Sequence, residues 1–432
     1  MTETIIKNLK PSASSNQDTV PPVMQSQDFC ELKITGADGA TAAGYDAYVY
    51  EFLAYGSALR ALFTIADNAP DCALVNGHAA ALHMAFEGAE GWVSAQPYLE
   101  RMRTARNGNT LTGREALFCD AIEAWSRRDF HRTLAILDTL TVRWPADLCA
   151  IKWGQYHAFN LGDQAALLRF GQRAIIVHKD TPYAHGLIAF ALEQNHRLDE
   201  AHEEGKRAVK IASDDAWAHH AVAHVLETRH QVDQGIAWME KCRDSWDKKG
   251  IFIRDHNWWH TALFYLAADD HQKVLEIFDE RLWGAWPEFP QEQIGAVSML
   301  WRLEMIGQSA QDRWSPIVDQ VRVRAGEHIL PFHDLHYAYA LARAGNDDES
   351  NFFLKSLEQY SKSCRDEAYT NWHDICLPLA KAVTAFANDD YNTTIDLMAP
   401  VLPELSRIGG SHAQRQVFLD TYETARLKSA QI

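Results

Sequence analysis

From about residue 29 almost to the C-terminus, apolar residues recur at helical spacing, and alternating runs of β-branched residues are absent. That pattern predicts amphipathic helices throughout and an all-α class. Upstream, Pro11 to Asp28 is mostly Ser, Gln, Asn and Pro. So little apolar surface cannot offset the entropy of ordering, and residues 1–28 are expected to form a disordered tail.

The chain repeats itself. Asp180-Thr-Pro-Tyr-Ala-His-Gly-Leu-Ile-Ala-Phe-Ala-Leu-Glu193 overlies Asp214-Asp-Ala-Trp-Ala-His-His-Ala-Val-Ala-His-Val-Leu-Glu227 at an offset of 214 − 180 = 34. The same offset pairs Ala189 with Ala223 and Ala201 with Gly235. A 34-residue period with small residues where two helices cross is the tetratricopeptide pattern. Weaker units run over 117–140, 151–174, 258–282, 336–360 and 377–402, turning at Asp129, Gly162, Asp269-Asp270, Gly345-Asn346-Asp347 and Asn388-Asp389-Asp390. A less regular helix pair spans 290–325. Since no linker rich in Gly, Ser or Pro divides the array, residues 29–432 are expected to form one tetratricopeptide-like domain, a right-handed superhelix or α-solenoid.

Composition narrows the function. With 58 acidic against 41 basic side chains the net charge is −17, which repels phosphate backbones and anionic head groups, so neither a nucleic acid nor a membrane is expected as partner. No stretch approaches the ~18 apolar residues that span a bilayer, and the first residues lack the apolar run of a signal peptide. Seven scattered cysteines without a C-x-x-C pair read as reduced thiols, which gives a cytoplasmic expectation.

Several motifs resemble the tetratricopeptide repeat protein 38 family: Asp215-Ala-Trp-Ala-His-His-Ala-Val-Ala-His-Val-Leu-Glu227, His256-Asn-Trp-Trp-His260, Leu111-Thr-Gly-Arg-Glu115, Ser298-Met-Leu-Trp-Arg-Leu303, His328-Ile-Leu-Pro-Phe-His-Asp-Leu-His336 and Gly409-Gly-Ser-His-Ala-Gln-Arg415. The similarity covers roughly residues 40–428, and the motifs come in family order. The resemblance implies the repeat fold rather than an activity. It marks His220, His224, Glu227, His256, Asn257, His260, Asp334, His336, Gln414 and Arg415 as characteristic polar positions. Where the family has a His-Asp pair in its second repeat, this chain has Gln155 and Tyr156.

Helical spacing turns these residues into geometry. His220 and His224 lie one turn apart with Glu227 continuing the face, and His256 and His260 repeat the arrangement. In the 34-residue frame Trp217, His220, His224 and Glu227 face the concave groove, while His219, Ala223 and Leu226 pack between helices. Matching Ala223 to Ala262, an offset of 39, adds His256 and Trp259 to the groove, whereas matching His219 to His260, an offset of 41, turns them partly away. Three readings follow. One is a pocket for a small polar molecule or a protein or peptide segment, lined by Trp217, His220, His224, Glu227, His256, Asn257, Trp259, His260, Asp334, His336 and Arg415. The second is an enzyme of hydrolase or lyase type, using His220, His224, Glu227, His256 and His260 with or without a divalent metal. In the third, the histidines only fasten neighbouring helices. No resident cofactor is expected, because H-E-x-x-H and phosphate-loop motifs are absent. A clamp for acidic peptide tails is disfavoured, since the groove offers His, Trp and Glu rather than Lys and Arg.

Overall fold

The computed structural model describes residues 25–28 and 30–431. Helices follow one another in antiparallel hairpins: α1 (Gly39–Ala54) and α2 (Ala61–Asn68), α3 (Ala73–Met84) and α4 (Ala89–Gly108), α5 (Gly113–Ser126) and α6 (Phe130–Arg143), α7 (Leu148–Asn160) and α8 (Gln164–Val177). Then come α9 (Ala184–Gln194) and α10 (Leu198–Ile211), α11 (Ala216–Thr228) and α12 (Val232–Cys242), α13 (Ile251–Ala267) and α14 (His271–Ile277), α15 (Pro290–Met305) and α16 (Gln311–Arg324). The chain continues through α17 (Pro331–Ala344), α18 (Asp347–Ser363), the single turn α19 (Asp366–Tyr369), α20 (Leu377–Ala387) and α21 (Tyr391–Met398), and ends in α22 (His412–Ser429). The protein is an all-α, tetratricopeptide-like superhelix. Among the described residues no helix is long and apolar enough to cross a membrane.

One turn is used repeatedly. Arg128, Gly162, His196 and His230, each 34 residues after the last, have φ of 60°, 68°, 57° and 55°. At each of them the first helix of a hairpin stops in the left-handed region, and the second starts two residues later. Asp129 and Asp163 then cap the second helix, accepting from the backbone N–H of Arg132 and Ala166. A non-glycine residue in that region costs roughly 1–2 kcal/mol, partly returned by the lower unfolded-state entropy of an ordinary side chain. The His230→Gly variant, at an exposed turn position, is therefore expected to gain up to about 1 kcal/mol, seen as a higher urea midpoint. A lower midpoint would show that the imidazole holds the turn. Close packing at the hairpin crossings depends on small residues: a Cβ on Gly235 would lie 2.1 Å from the Phe264 ring.

Two features depart from the sequence expectation. Residues 1–24 of the expected tail lie outside the described residues, but Gln25–Gln27 forms strand β1, antiparallel to β2 (Lys33–Thr35), with Ser26 opposite Ile34. Polar bonding holds this hairpin. Asp28 Oδ1 accepts from the N–H of Cys30 and Leu32, both at 2.9 Å, and the buried Arg114 guanidinium binds Asp28, Asp147 and the Lys33 carbonyl. Desolvation pushes the Asp28 carboxyl up to about 6, even with Arg114 beside it.

The second departure concerns the groove. Early and late repeats meet: Arg324 donates to both Glu90 oxygens at 2.6 and 2.8 Å, and Ala89 N–H donates to Glu327 at 3.0 Å. The C-terminal segment then runs inside the curve. His412 Nε2 lies 3.1 Å from the Gln194 carbonyl, and Arg302 Nη2 donates to the Ala413 carbonyl at 2.8 Å. The turn that admits this segment is Gly409-Gly410, with φ of 84° and 78°; added Cβ atoms would stand 2.6 Å from the Asn160 carbonyl oxygen and 2.7 Å from the Phe332 ring. The chain's own C-terminus thus occupies the concave side, and the open groove expected from the repeats is an enclosed interior.

Candidate functional site

Helix α11 starts at Asp215, which accepts from Ala218 N–H at 3.0 Å. Being buried, the Asp215 carboxyl is pushed up to about 6. This start sets the phase that turns His220, His224 and Glu227 inward. Helix α13 starts at Gly250, whose N–H donates to the Tyr55 carbonyl at 2.7 Å, and Asn257 ties it to α11 by donating to the Ala216 carbonyl at 3.1 Å. The two helices bring four imidazoles together. His220 Nε2 lies 3.0 Å from His224 Nε2 and 3.1 Å from His256 Nε2. The His224 and His260 rings are 4.4 Å apart, and one nitrogen from each of the four lies within 4.8 Å of the others.

Around them the interior is aromatic and acidic. Trp217 and Phe190 pack on His220 at 4.5 and 5.2 Å, and Trp259 stacks on His256 at 5.6 Å. Arg302 lies over the Trp259 ring, 5.3 Å from its centre. His260 Nδ1 is hydrogen-bonded to Glu227 Oε2 at 3.1 Å, and His224 Nδ1 lies 3.7 Å from Glu193 Oε2. Desolvation, then the neighbouring imidazoles, holds His220 and His224 well below the usual histidine range; His260 is lowered to about 3 by burial and by Arg302. Burial, then His260, holds His256 low as well, so all four rings are neutral near pH 7, with lone pairs to offer. Burial pushes Glu227 and Glu193 up to about 7. Several interior polar atoms are buried without a hydrogen-bond partner: His220 Nδ1, His260 Nε2, Trp217 Nε1, Trp259 Nε1 and Asn257 Oδ1.

A narrow cleft of about 30 Å³ reaches this centre, lined by Phe252, His256, Trp259, Gln291 and Glu292 among others. It has room for about two water molecules. On its far side Gln291 donates to Glu87, a buried carboxylate that also accepts from Tyr156 Oη at 2.7 Å and Asn160 at 3.3 Å, and sits 3.2 Å from His333 Nε2.

The remaining expected site residues lie elsewhere. The Asp334 carboxylate accepts from His328 Nδ1. His336 Nδ1 donates to the Phe332 carbonyl at 2.8 Å, between Trp301 and Phe418. Arg415 donates to the Gly409 and Gly410 carbonyls, fixing the C-terminal turn, and its charge reaches Glu193 beside His224. Gln155 and Tyr156 are also structural: Gln155 donates to the Leu187 carbonyl at 3.0 Å, and Tyr156 binds Glu87. Sequence reasoning missed Glu193, although the 34-residue overlay places it on Glu227, and it missed Arg302 within the Ser298–Leu303 motif. Nothing in the sequence pointed to Glu87.

The class is that of a tetratricopeptide-like helical-repeat protein. No family model matches the chain. Among solved structures it is similar to the human IFIT1 dimer with m7Gppp-AAAA, at TM-score 0.40 and 12% identity over 83% of this chain and 90% of that one. It is also similar to Naa15/Naa10 bound to HypK-THB, at TM-score 0.27 and 11% identity over 91% of this chain and 64% of that one. The first of these carries a capped nucleotide chain, which overturns the expectation that nucleic acid is excluded as partner. Net charge describes the average surface, whereas a repeat protein's ligand meets the local charge of one face.

Proposed function

We propose that this protein is a helical-repeat binding protein of the tetratricopeptide repeat protein 38 family, whose interior holds a small polar ligand against His220, His224, His256, His260, Trp217, Trp259 and Glu227. The observation that carries this reading is the convergence of four neutral imidazoles from two hairpins on one enclosed point. The size of the cleft limits the ligand to a few atoms, far below the ~300–1,000 Å³ of ordinary metabolite pockets. Seven free thiols support a reducing, cytoplasmic setting.

The test is a thermal-stability screen with small polar molecules and ions on the native protein, His224→Ala and Trp259→Ala. A ligand at a hundred times its Kd should stabilise the native protein by about 2.7 kcal/mol and neither variant. Equal stabilisation of all three would place the ligand elsewhere and sink this reading.

A further inference from the structure

Resting on the interior as a ligand site, we propose that its ligand is a single divalent transition-metal ion, held by ring nitrogens of His220, His224, His256 and His260. The placement of the ring nitrogens, one from each of the four within 4.8 Å of the others, carries the inference. A neutral imidazole has one N–H and one lone pair. His260 Nδ1 lies 3.1 Å from Glu227 Oε2; with that carboxylate ionised the ring's N–H is spent there, and Nε2, buried and without a partner, presents its lone pair. His224 has its Nδ1 toward Glu193 and its Nε2 toward the centre. His220 Nε2 meets two other Nε2 atoms, so one proton at most faces two nitrogens, while its Nδ1 is buried without a partner. As a hydrogen-bond network the cluster is under-satisfied; as a ligand set it is coherent, with four ring nitrogens within reach of one ion. A carboxylate behind a histidine is the usual outer support of a metal-bound imidazole, fixing its tautomer and orientation. Here Glu227 and Glu193 stand behind two of the four, His260 and His224.

Spacing agrees. Bonds of 2.0–2.1 Å to imidazole nitrogen separate tetrahedral ligands by roughly 3.4 Å. The two closest pairs, at 3.0 and 3.1 Å, and the widest, within 4.8 Å, straddle that value, so small ring rotations close the set. Four imidazoles without an oxygen donor select zinc, copper, iron or nickel over magnesium or calcium. His256, the one half-buried member, lines the cleft, which gives an ion its way in.

The full-length protein is stripped with a chelator, titrated with cobalt(II), and followed by metal content per chain and by cobalt's visible ligand-field absorption. Expected are one ion per chain, absorption bands that zinc abolishes, at least tenfold weaker binding in His256→Ala and His260→Ala, and 10–100-fold weaker binding in Glu227→Gln. His157→Ala, which removes a buried imidazole outside the set, should bind as the native protein does and so separates ligation from general loosening. Folded native protein that takes up no cobalt, or uptake unchanged in His256→Ala and His260→Ala, overturns the metal. If a small molecule then still stabilises the native protein but not His224→Ala, the interior ligand site stands without the ion.

Discussion

Glu87→Gln is expected to lower folding stability by about 3 kcal/mol or more, as is usual when one partner of a buried charged network is removed. Glu87 has φ of 66° in the turn between α3 and α4 and gathers Tyr156, Asn160, Gln291 and His333, up to 246 positions away in sequence (333 − 87). With Arg324–Glu90 and Ala89–Glu327 it joins the first hairpins to the later ones. An amide of the same shape turns one acceptor into a donor and sets it against the Gln291 amide or the His333 ring. Urea unfolding of both proteins checks the size of the effect. Its pH dependence checks the cause. Burial alone would raise the Glu87 carboxyl, but hydrogen bonds and charge from His333, with those from Tyr156 and Gln291, hold it below its ordinary 4.5. A carboxyl depressed by folding stabilises fully above its unfolded value and loses that stabilisation as pH falls through the folded one. The native protein's advantage should therefore be complete above about pH 5 and shrink on further acidification. A gap that stays constant into strong acid would show that shape, not charge, makes the contact.

How far the sequence could be read depended on the distance over which each feature is determined. Hairpin turns at Gly162, Asp269-Asp270 and Asn388-Asp389-Asp390 were legible, because a helix stop, a left-handed residue and an aspartate cap are local. The pairs His220/His224 and His256/His260 were legible as faces for the same reason, and stacking of adjacent repeats brings those faces together. Glu193 was half legible: its repeat carries Gly186 and Phe190 where the next carries His220 and His224, so the overlay showed the carboxylate without the imidazoles that give it a role. Asp334, His336 and Arg415 each satisfy a local bond, to His328, Phe332 and the Gly409-Gly410 turn, which the sequence did not disclose; only Arg415 among them also acts on Glu193. Closure of the superhelix was not legible at all. It depends on contacts such as Glu87 to His333 and His412 to Gln194, which leave no periodic trace. The strand at Gln25–Gln27 escaped notice because buried ion pairs, rather than apolar residues, hold it.

Gly409→Ala should destabilise the protein by about 2–6 kcal/mol and free the C-terminal helix from the interior. Two costs combine. At φ 84° and ψ −165° Gly409 occupies a region open essentially to glycine alone, worth about 1–3 kcal/mol for any other residue. The new methyl group would also stand 2.6 Å from the Asn160 carbonyl oxygen, a backbone atom that cannot swing aside, and such overpacking costs a further 1–3 kcal/mol. The cheapest relief is withdrawal of the turn, with loss of the contacts from His412 to Gln194 and from Arg302 to Ala413. Gln194 neighbours Glu193, the carboxylate behind His224, so the loosening reaches the imidazole centre. Hydrogen exchange in α22 should rise and interior ligand binding should weaken, while Gly108→Ala, where an added Cβ meets nothing within 4 Å, should change neither. If Gly409→Ala unfolds earlier yet keeps α22 protected and the ligand bound, the C-terminal segment adds stability but does not enclose the site.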